Sequence, residues 1–389
     1  MKIKKLVSLS LAVVTAASVA LTGCGSRIDA DKIVATLDDK EISLGLANFM
    51  AQYKAITYDS FYLSYAGEDM WSQDLSGSGS TMQDNVKDSV LEEIETDYLL
   101  DAHMADYGVE ITQDEIDKME AAAEEFLADN TDEAIKVMGA TKEYVTEMLR
   151  LNLVQSKMHD AIIADVDTEV SDEEAAQRTF SYIQISTAGH TDDSGNYVAY
   201  TEDEVAALAD TAEQVASAAK TDFDAAATDN GYTVSTYSYG ADEIGEDGTA
   251  TGSMDASVIT AADALSEGEV SSLITVDGTG YYVLRLDSEF DEEATETKKS
   301  DIVSGRQSDK YTSVCDAYKE AAEWTVNDKV WAAVNFDKLY SIKEEATETE
   351  GTGETTETER EAVNTEALNT EADNTEALGG TESVNSTEK

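Results

Sequence analysis

The sequence predicts an α+β protein. A mostly helical domain is split by an inserted, small, mostly antiparallel β-sheet domain flanked by helices, and a disordered acidic tail follows. Three observations lead to that class. Apolar residues recur at helical spacing through residues 30–165. Between 178 and 288, short alternating β-rich runs are separated by capped helical stretches. After 289 the pattern turns helical again, so that the last segment can return to pack on the first.

"KIVATLDDKEIS" (Lys32 to Ser43) reads as a short strand, a turn at Asp38-Asp39 and a helix cap at Ser43. "ANFMAQYKAI" continues as helix, and a Gly/Ser-rich loop covers Leu75 to Ser80. Met82, Val86, Val90, Ile94 and Tyr98 then fall four apart, which is one face of a helix. Gly108 suits the stop after it. Thr112 to Glu115, "TQDE", is a capping box. The next helix, about 142–163, lines up Tyr144, Met148, Leu151 and Val154. Such apolar stripes belong first to a core and only second to a client-binding face.

The inserted part opens with another capping box, "SDEE" at Ser171 to Glu174, and the strand "FSYIQIS" from Phe180 to Ser186. A polar loop with "DDSGN" follows, then a helix capped by "TEDE" and reaching about Lys220. "DFDAAATDNG" gives a short helix ending at Gly231, "YTVSTYSYG" a strand, and "DASVITAADAL" a short helix. The stretch "ALSEGEVSSLITVDGTGYYVLRL" closes the part with a hairpin. Residues 295–322 read as a long helix with Val314, Tyr318 and Ala322 on one face, "WTVN" as a short strand, and "DKVWAAVNFDKLY" as a final amphipathic helix.

The two ends read differently from the body. Lys2, Lys4 and Lys5 precede an apolar run from Leu6 to Ala20, and then comes "LTGC", Leu21 to Cys24. This is a secretory signal, too short for a spanning helix. Its last four residues resemble the bacterial lipobox, which implies cleavage before Cys24 and diacylation of that thiol. Cleavage would take the formal charge from −56 to −59, because three lysines leave. Cys315 would then be the one free thiol, which rules out an internal disulfide. His103, His159 and His190 are scattered, and no cluster of Cys or His suggests a metal or other cofactor. Residues 344–389 hold 14 acids against 2 bases and no aromatic residue, so the segment reads as a solvated tail. The chain has no proline, so no X–Pro isomerisation delays its own folding. So acidic a surface repels phosphates and anionic head groups, which excludes nucleic acid as a partner.

The block from about Arg178 to Asp287 resembles a parvulin-type peptidyl-prolyl isomerase domain. The resemblance is carried by "AADALSEGEVSSLITVDGTGYYVLRL", by "FSYIQIS" at the family's first strand, and by "DFDAAATDNG" at its Asp-Phe helix. "ADYGVEITQDEIDKM" resembles the helical domain of the SurA and PrsA chaperones. The implied organisation is a lipoprotein signal peptide at 1–23, a linker at 24–31, a helical chaperone domain at 32–177, a parvulin-like domain at 178–288, a helical segment at 289–343 returning to the chaperone domain, and the tail at 344–389.

The departures from the family bear on activity. Tyr182 and Tyr282 stand at the two family histidine positions. Gly231, Tyr232 and Thr233 occupy the place of a Ser followed by Cys or Asp. Of the proline pocket, Met254 matches the family, while Val258 and Asp263 replace two phenylalanines. Rotation about X–Pro requires no covalent step, only an apolar cup and stabilisation of the twisted amide. Two tyrosines can also hydrogen-bond each other. The resemblance therefore implies an extracytoplasmic foldase, lipid-anchored at Cys24 to the membrane, that acts on unfolded or newly secreted polypeptides with weak or degenerate isomerase chemistry. An active isomerase is the alternative. A solute-binding lipoprotein is a third class, against which the helical first half argues. The oligomeric state stays open, a dimer among the options.

Overall fold

The computed structural model describes residues 14–16, 28–191, 195–245, 248–336 and 340–342. Cys24 and the tail lie outside the described residues. Of the segment 1–23 only Val14–Ala16 is described, paired antiparallel with Tyr340–Ile342. The chain divides into two compact units, Met1–Asp165 with Ser308–Lys389, and Val166–Gln307.

The first unit opens with a hairpin. Strand β1 (Ile33–Leu37) turns at Asp38, whose φ of 49° is left-handed, into β2 (Lys40–Ser43). The sequence reading has one strand here, because "KEIS" is short and half polar; backbone pairing with β1 makes it a strand. Ser43 then caps α1 (Leu44–Ala66), its Oγ accepting from the Leu46 N–H at 3.2 Å. Helix α2 (Met82–Ala102) buries Met82, Val86, Val90, Ile94 and Tyr98, the stripe read from the sequence. It stops at His103, and a 3-10 turn over Met104–Tyr107 carries the chain to Gly108 in the left-handed region. Helix α3 (Gln113–Asp129) starts from the Thr112–Glu115 capping box, with both reciprocal bonds formed. The short α4 (Asp132–Met138) and the long α5 (Lys142–Ile163) complete this part. Phe49, Ile94, Leu149 and Leu151 are fully buried at its centre, and each such side chain contributes about 1.5–3 kcal/mol relative to exposure.

The second unit begins with α6 (Asp172–Ala175), capped by Ser171 but only four residues long. Strand β3 (Arg178–Ser186) follows. The loop read as polar carries a ribbon, Gly189–Thr191 against Tyr197–Ala199. Next come α7 (Glu202–Ala219), α8 (Phe223–Thr228), β4 (Val234–Tyr239), α9 (Ala256–Asp263), β5 (Ile274–Val276) and β6 (Gly280–Ser288). The four main strands form one antiparallel sheet in the order β4-β3-β6-β5. The opening Gly280 of β6 has no room for a side chain: a Cβ there would lie 2.1 Å from the Ile185 carbonyl oxygen.

The long helix α10 (Glu292–Ala321) gives its first half to the second unit and its last turns to the first. Strand β7 (Trp324–Val326) then pairs with β1, so the returning segment completes a three-stranded sheet, β7-β1-β2. The final helix read over "DKVWAAVNFDKLY" is corrected: α11 covers only Asp328–Trp331. Beyond it Val334 and Phe336 are buried in a non-helical path, and other groups take up its backbone. Lys87 Nζ donates to the Val334 carbonyl at 2.9 Å, Gln52 Nε2 to the Asn335 carbonyl at 2.8 Å, and the Phe336 N–H to Gln83 Oε1 at 3.0 Å. These bonds replace the intrahelical ones that a longer α11 would have made.

Candidate functional site: an aromatic sheet face

Strand alternation divides β3 and β6 between two faces. Ile183, Ile185 and Val283 join one fully buried cluster with residues of α7 and α8. Phe180, Tyr182, Tyr282, Leu284 and Leu286 join another, together with Met254 and the α9 residues Val258, Ile259 and Ala262. The four residues singled out from the sequence, Tyr182, Tyr282, Met254 and Val258, are therefore members of one apolar cluster.

The register explains how the two tyrosines meet. Tyr182 pairs with Leu284 and Gln184 with Tyr282, so the tyrosines are diagonal neighbours on central strands. Their ring centroids are 6.0 Å apart at 40°. Among the described hydrogen bonds none joins the two hydroxyls; the pair meets ring to ring. Burial, then the neighbouring Tyr182 and Asp255, push the Tyr282 hydroxyl above its ordinary pKa. Asp255 caps α9, accepting from the Ser257 N–H at 2.8 Å, and bonds to Ser257 hold its carboxyl below the usual range. Met254, the residue before that cap, packs into the same cluster. Val258 is 0% exposed, Tyr282 6% and Met254 7%, so the cluster is packed and Val258 presents no surface to a ligand.

The sequence reading missed part of this face. Phe180 is ringed by Tyr237 and Tyr239 of β4, each with its ring centroid 5.7 Å away, and by Tyr182 at 6.0 Å. The signal was present as "YSY", two tyrosines at period two that pair with Phe180 and Arg178 of β3. Tyr237 also hydrogen-bonds the Glu243 carboxylate. Asp263 does polar work: it accepts from the Tyr239 hydroxyl at 2.9 Å, while Arg178 Nε donates to that hydroxyl at 3.1 Å. Burial, then the bond to Asp263, raise the Tyr239 pKa. Tyr232 packs with the cluster on the opposite face. The three histidines lie off the aromatic face, each against a tyrosine: His103 on Tyr318, His159 on Tyr311 and His190 on Tyr200.

No family model and no curated protein matches the chain. Solved structures do. The chain is similar to the foldase protein PrsA of Lactococcus lactis, at 15% identity and a TM-score of 0.32, over 78% of this chain and 97% of that one. A Campylobacter jejuni structure described among SurA-like chaperones is similar at 13% identity and a TM-score of 0.26, over 76% and 98%. The foldase PrsA of Streptococcus pneumoniae is similar at 20% identity and a TM-score of 0.28, over 67% and 96%. The α+β class stands on this chain's own strands and helices.

Proposed function

We propose that the protein is an extracytoplasmic foldase, anchored by a lipid on Cys24, that holds unfolded polypeptides and isomerises X–Pro bonds weakly or not at all. The observation that carries the reading is the aromatic sheet face. Tyr182, Tyr282, Met254 and Val258, the positions that the parvulin resemblance implies, share one apolar cluster, yet Val258 is fully buried and two half-polar tyrosines stand for histidines. A prolyl ring needs a concave apolar wall, and a packed valine in place of phenylalanine supplies little of one. The protein names attached to the similar structures, foldase and SurA-like chaperone, support the holding function. No helix among the described residues is long and apolar enough to cross a membrane, which is compatible with attachment through Cys24.

Two measurements on the mature form separate holding from isomerisation. Cis-to-trans exchange of a short proline peptide should accelerate little. Light scattering of an unfolding client should fall both for the full chain and for a chain lacking 178–288. That deletion can be closed by a short linker, because Thr179 and Ser288 are paired neighbours in the sheet. Strong acceleration abolished by Met254→Ala would replace this reading with that of an active isomerase. Fractionation tests the anchor: Cys24→Ala should leave the membrane, and a washed membrane that retains it would refute lipidation.

A further inference from the structure

We propose that the C-terminal end of α1 is a docking surface for cationic segments of unfolded polypeptide. The proposal rests on the foldase reading for the source of such segments, and its geometry is independent of the sheet face.

Tyr58, Phe61 and Tyr62 recur at helical spacing on one side of α1. Phe61 is 69% exposed, the most exposed large hydrophobic side chain among the described residues. Its ring meets Tyr62 edge-on at 5.0 Å, and Tyr62 stacks on Tyr58 at 5.7 Å. Tyr58 in turn contacts Trp71 at 6.0 Å. Trp71 is held from below, its indole N–H donating at 2.9 Å to Asp59, a carboxylate only 1% exposed. The aromatic row therefore stands on a fixed base, so a ligand orders little of it on binding.

Charge selects the occupant. Helix α1 ends with no basic residue in its last turn, which leaves the negative end of its dipole without a compensating charge in that turn. Glu68 and Asp69 follow directly, both exposed. Gln73 Nε2 ties Asp69 to this end, bonding its Oδ1 at 2.9 Å and the Ala66 carbonyl at 3.0 Å. Aromatic faces beside carboxylates and helix carbonyls favour Lys or Arg next to an apolar residue. The same charges oppose a second copy of this strongly acidic chain and an anionic membrane surface.

The test uses the mature chain beginning at residue 25 and two fluorescent unstructured peptides. One alternates Lys with Leu and Phe; its twin carries Glu for Lys. Binding is read by anisotropy at two salt concentrations. The Lys peptide should bind and the Glu peptide should not. Phe61→Ser, at an exposed site that leaves the fold intact by circular dichroism, should weaken the Lys peptide by about fivefold. Glu68→Gln with Asp69→Asn should weaken it and flatten the salt dependence. Equal affinity for both peptides, no binding, or an unchanged affinity in Phe61→Ser overturns the proposal. So does a sedimentation shift in Phe61→Ser without loss of peptide binding, which would mark the face as a self-association surface. Light scattering separates the two readings: suppression by the parent that Phe61→Ser retains rejects the surface and keeps the foldase, whereas peptide binding without suppression does the reverse.

Discussion

The two units treat their buried polar groups differently. In the sheet unit the Gln177 N–H donates to Thr295 Oγ1 at 3.1 Å, Thr179 Oγ1 donates to Asp291 at 2.7 Å, and Ser271 Oγ accepts from the Leu284 N–H at 2.9 Å. In the helical unit, the Asp97 carboxyl, the Thr146 hydroxyl and the Trp331 indole N–H are buried with no hydrogen-bond partner among the described residues, and the Tyr311 hydroxyl lies against the Cys315 thiol. Every such orphan among the described residues lies in the helical unit. The helical unit is polar-satisfied at its surface: Arg150 grips Asp101 through two nitrogens, at 2.6 and 3.0 Å, and also bonds Glu147. Its deficit is interior. A buried group without a partner costs about 1–3 kcal/mol, so the helical unit has room to gain stability by substitution at these groups.

Asp97 gives the largest expected effect. Burial, then the nearby Glu93, push its carboxyl well above the ordinary carboxylate range, with Lys54 opposing weakly; Tyr311 and Cys315 also face it. A carboxyl raised in the folded state binds a proton that the unfolded chain releases. Its stabilising protonation is complete below about pH 4 and is lost as pH rises toward the raised native value. Asp97→Asn should therefore flatten the fall in stability above pH 4, gaining about 1–3 kcal/mol at alkaline pH over the parent. Denaturant titrations at pH 4, 6 and 8 check it. Parallel curves for parent and variant would show that Asp97 is ionised and partnered in the fold.

Thr295→Val should do the opposite in the sheet unit. It strands the Gln177 N–H, in a position where Thr295 is 1% exposed, and should cost about 1–2 kcal/mol at every pH. Calorimetry reads this as a lower midpoint. An unchanged midpoint would mean that the sheet unit tolerates an orphan as readily as the helical one, and the contrast would be lost.

How much of this was legible in the sequence follows from the range of each interaction. The caps at Ser43, Thr112 and Thr201 and the stripe of α2 were readable, because they are set by residues three or four apart. The second strand of the first hairpin and the early end of α11 were not. Lys40–Ser43 becomes a strand only against β1, and 334–336 leave the helix because Lys87, Gln52 and Gln83 claim their backbone from far along the chain. At the candidate site, Tyr182, Tyr282, Met254 and Val258 were reachable through motif positions. Tyr237 and Tyr239 needed the register of β4 on β3. Asp97 lies on α2 at a position that turns inward, one residue before the buried Tyr98, and no local pattern marks an acid placed there.

The smallest effect expected is on isomerisation, and it tests whether histidines alone separate this sheet face from a working one. Tyr182→His with Tyr282→His puts on the two central strands the histidines that the parvulin resemblance implies. The wall of the cup stays as it is: Val258 remains packed at 0% exposure, and Asp263 remains bonded to Tyr239, which Arg178 also contacts. Burying a Phe contributes about 1.5–3 kcal/mol, and a missing phenylalanine wall forfeits most of what a prolyl ring would gain there. The double variant should thus accelerate exchange of a proline peptide no more than the parent does, measured by magnetisation transfer between cis and trans resonances. Adding Val258→Phe should raise capture of the ring only if α9 shifts outward, because Val258 is fully buried within its apolar cluster. A large acceleration from the two histidines alone would mean that the ring needs no aromatic wall, and that the satisfied, closed packing of this face is no obstacle to catalysis.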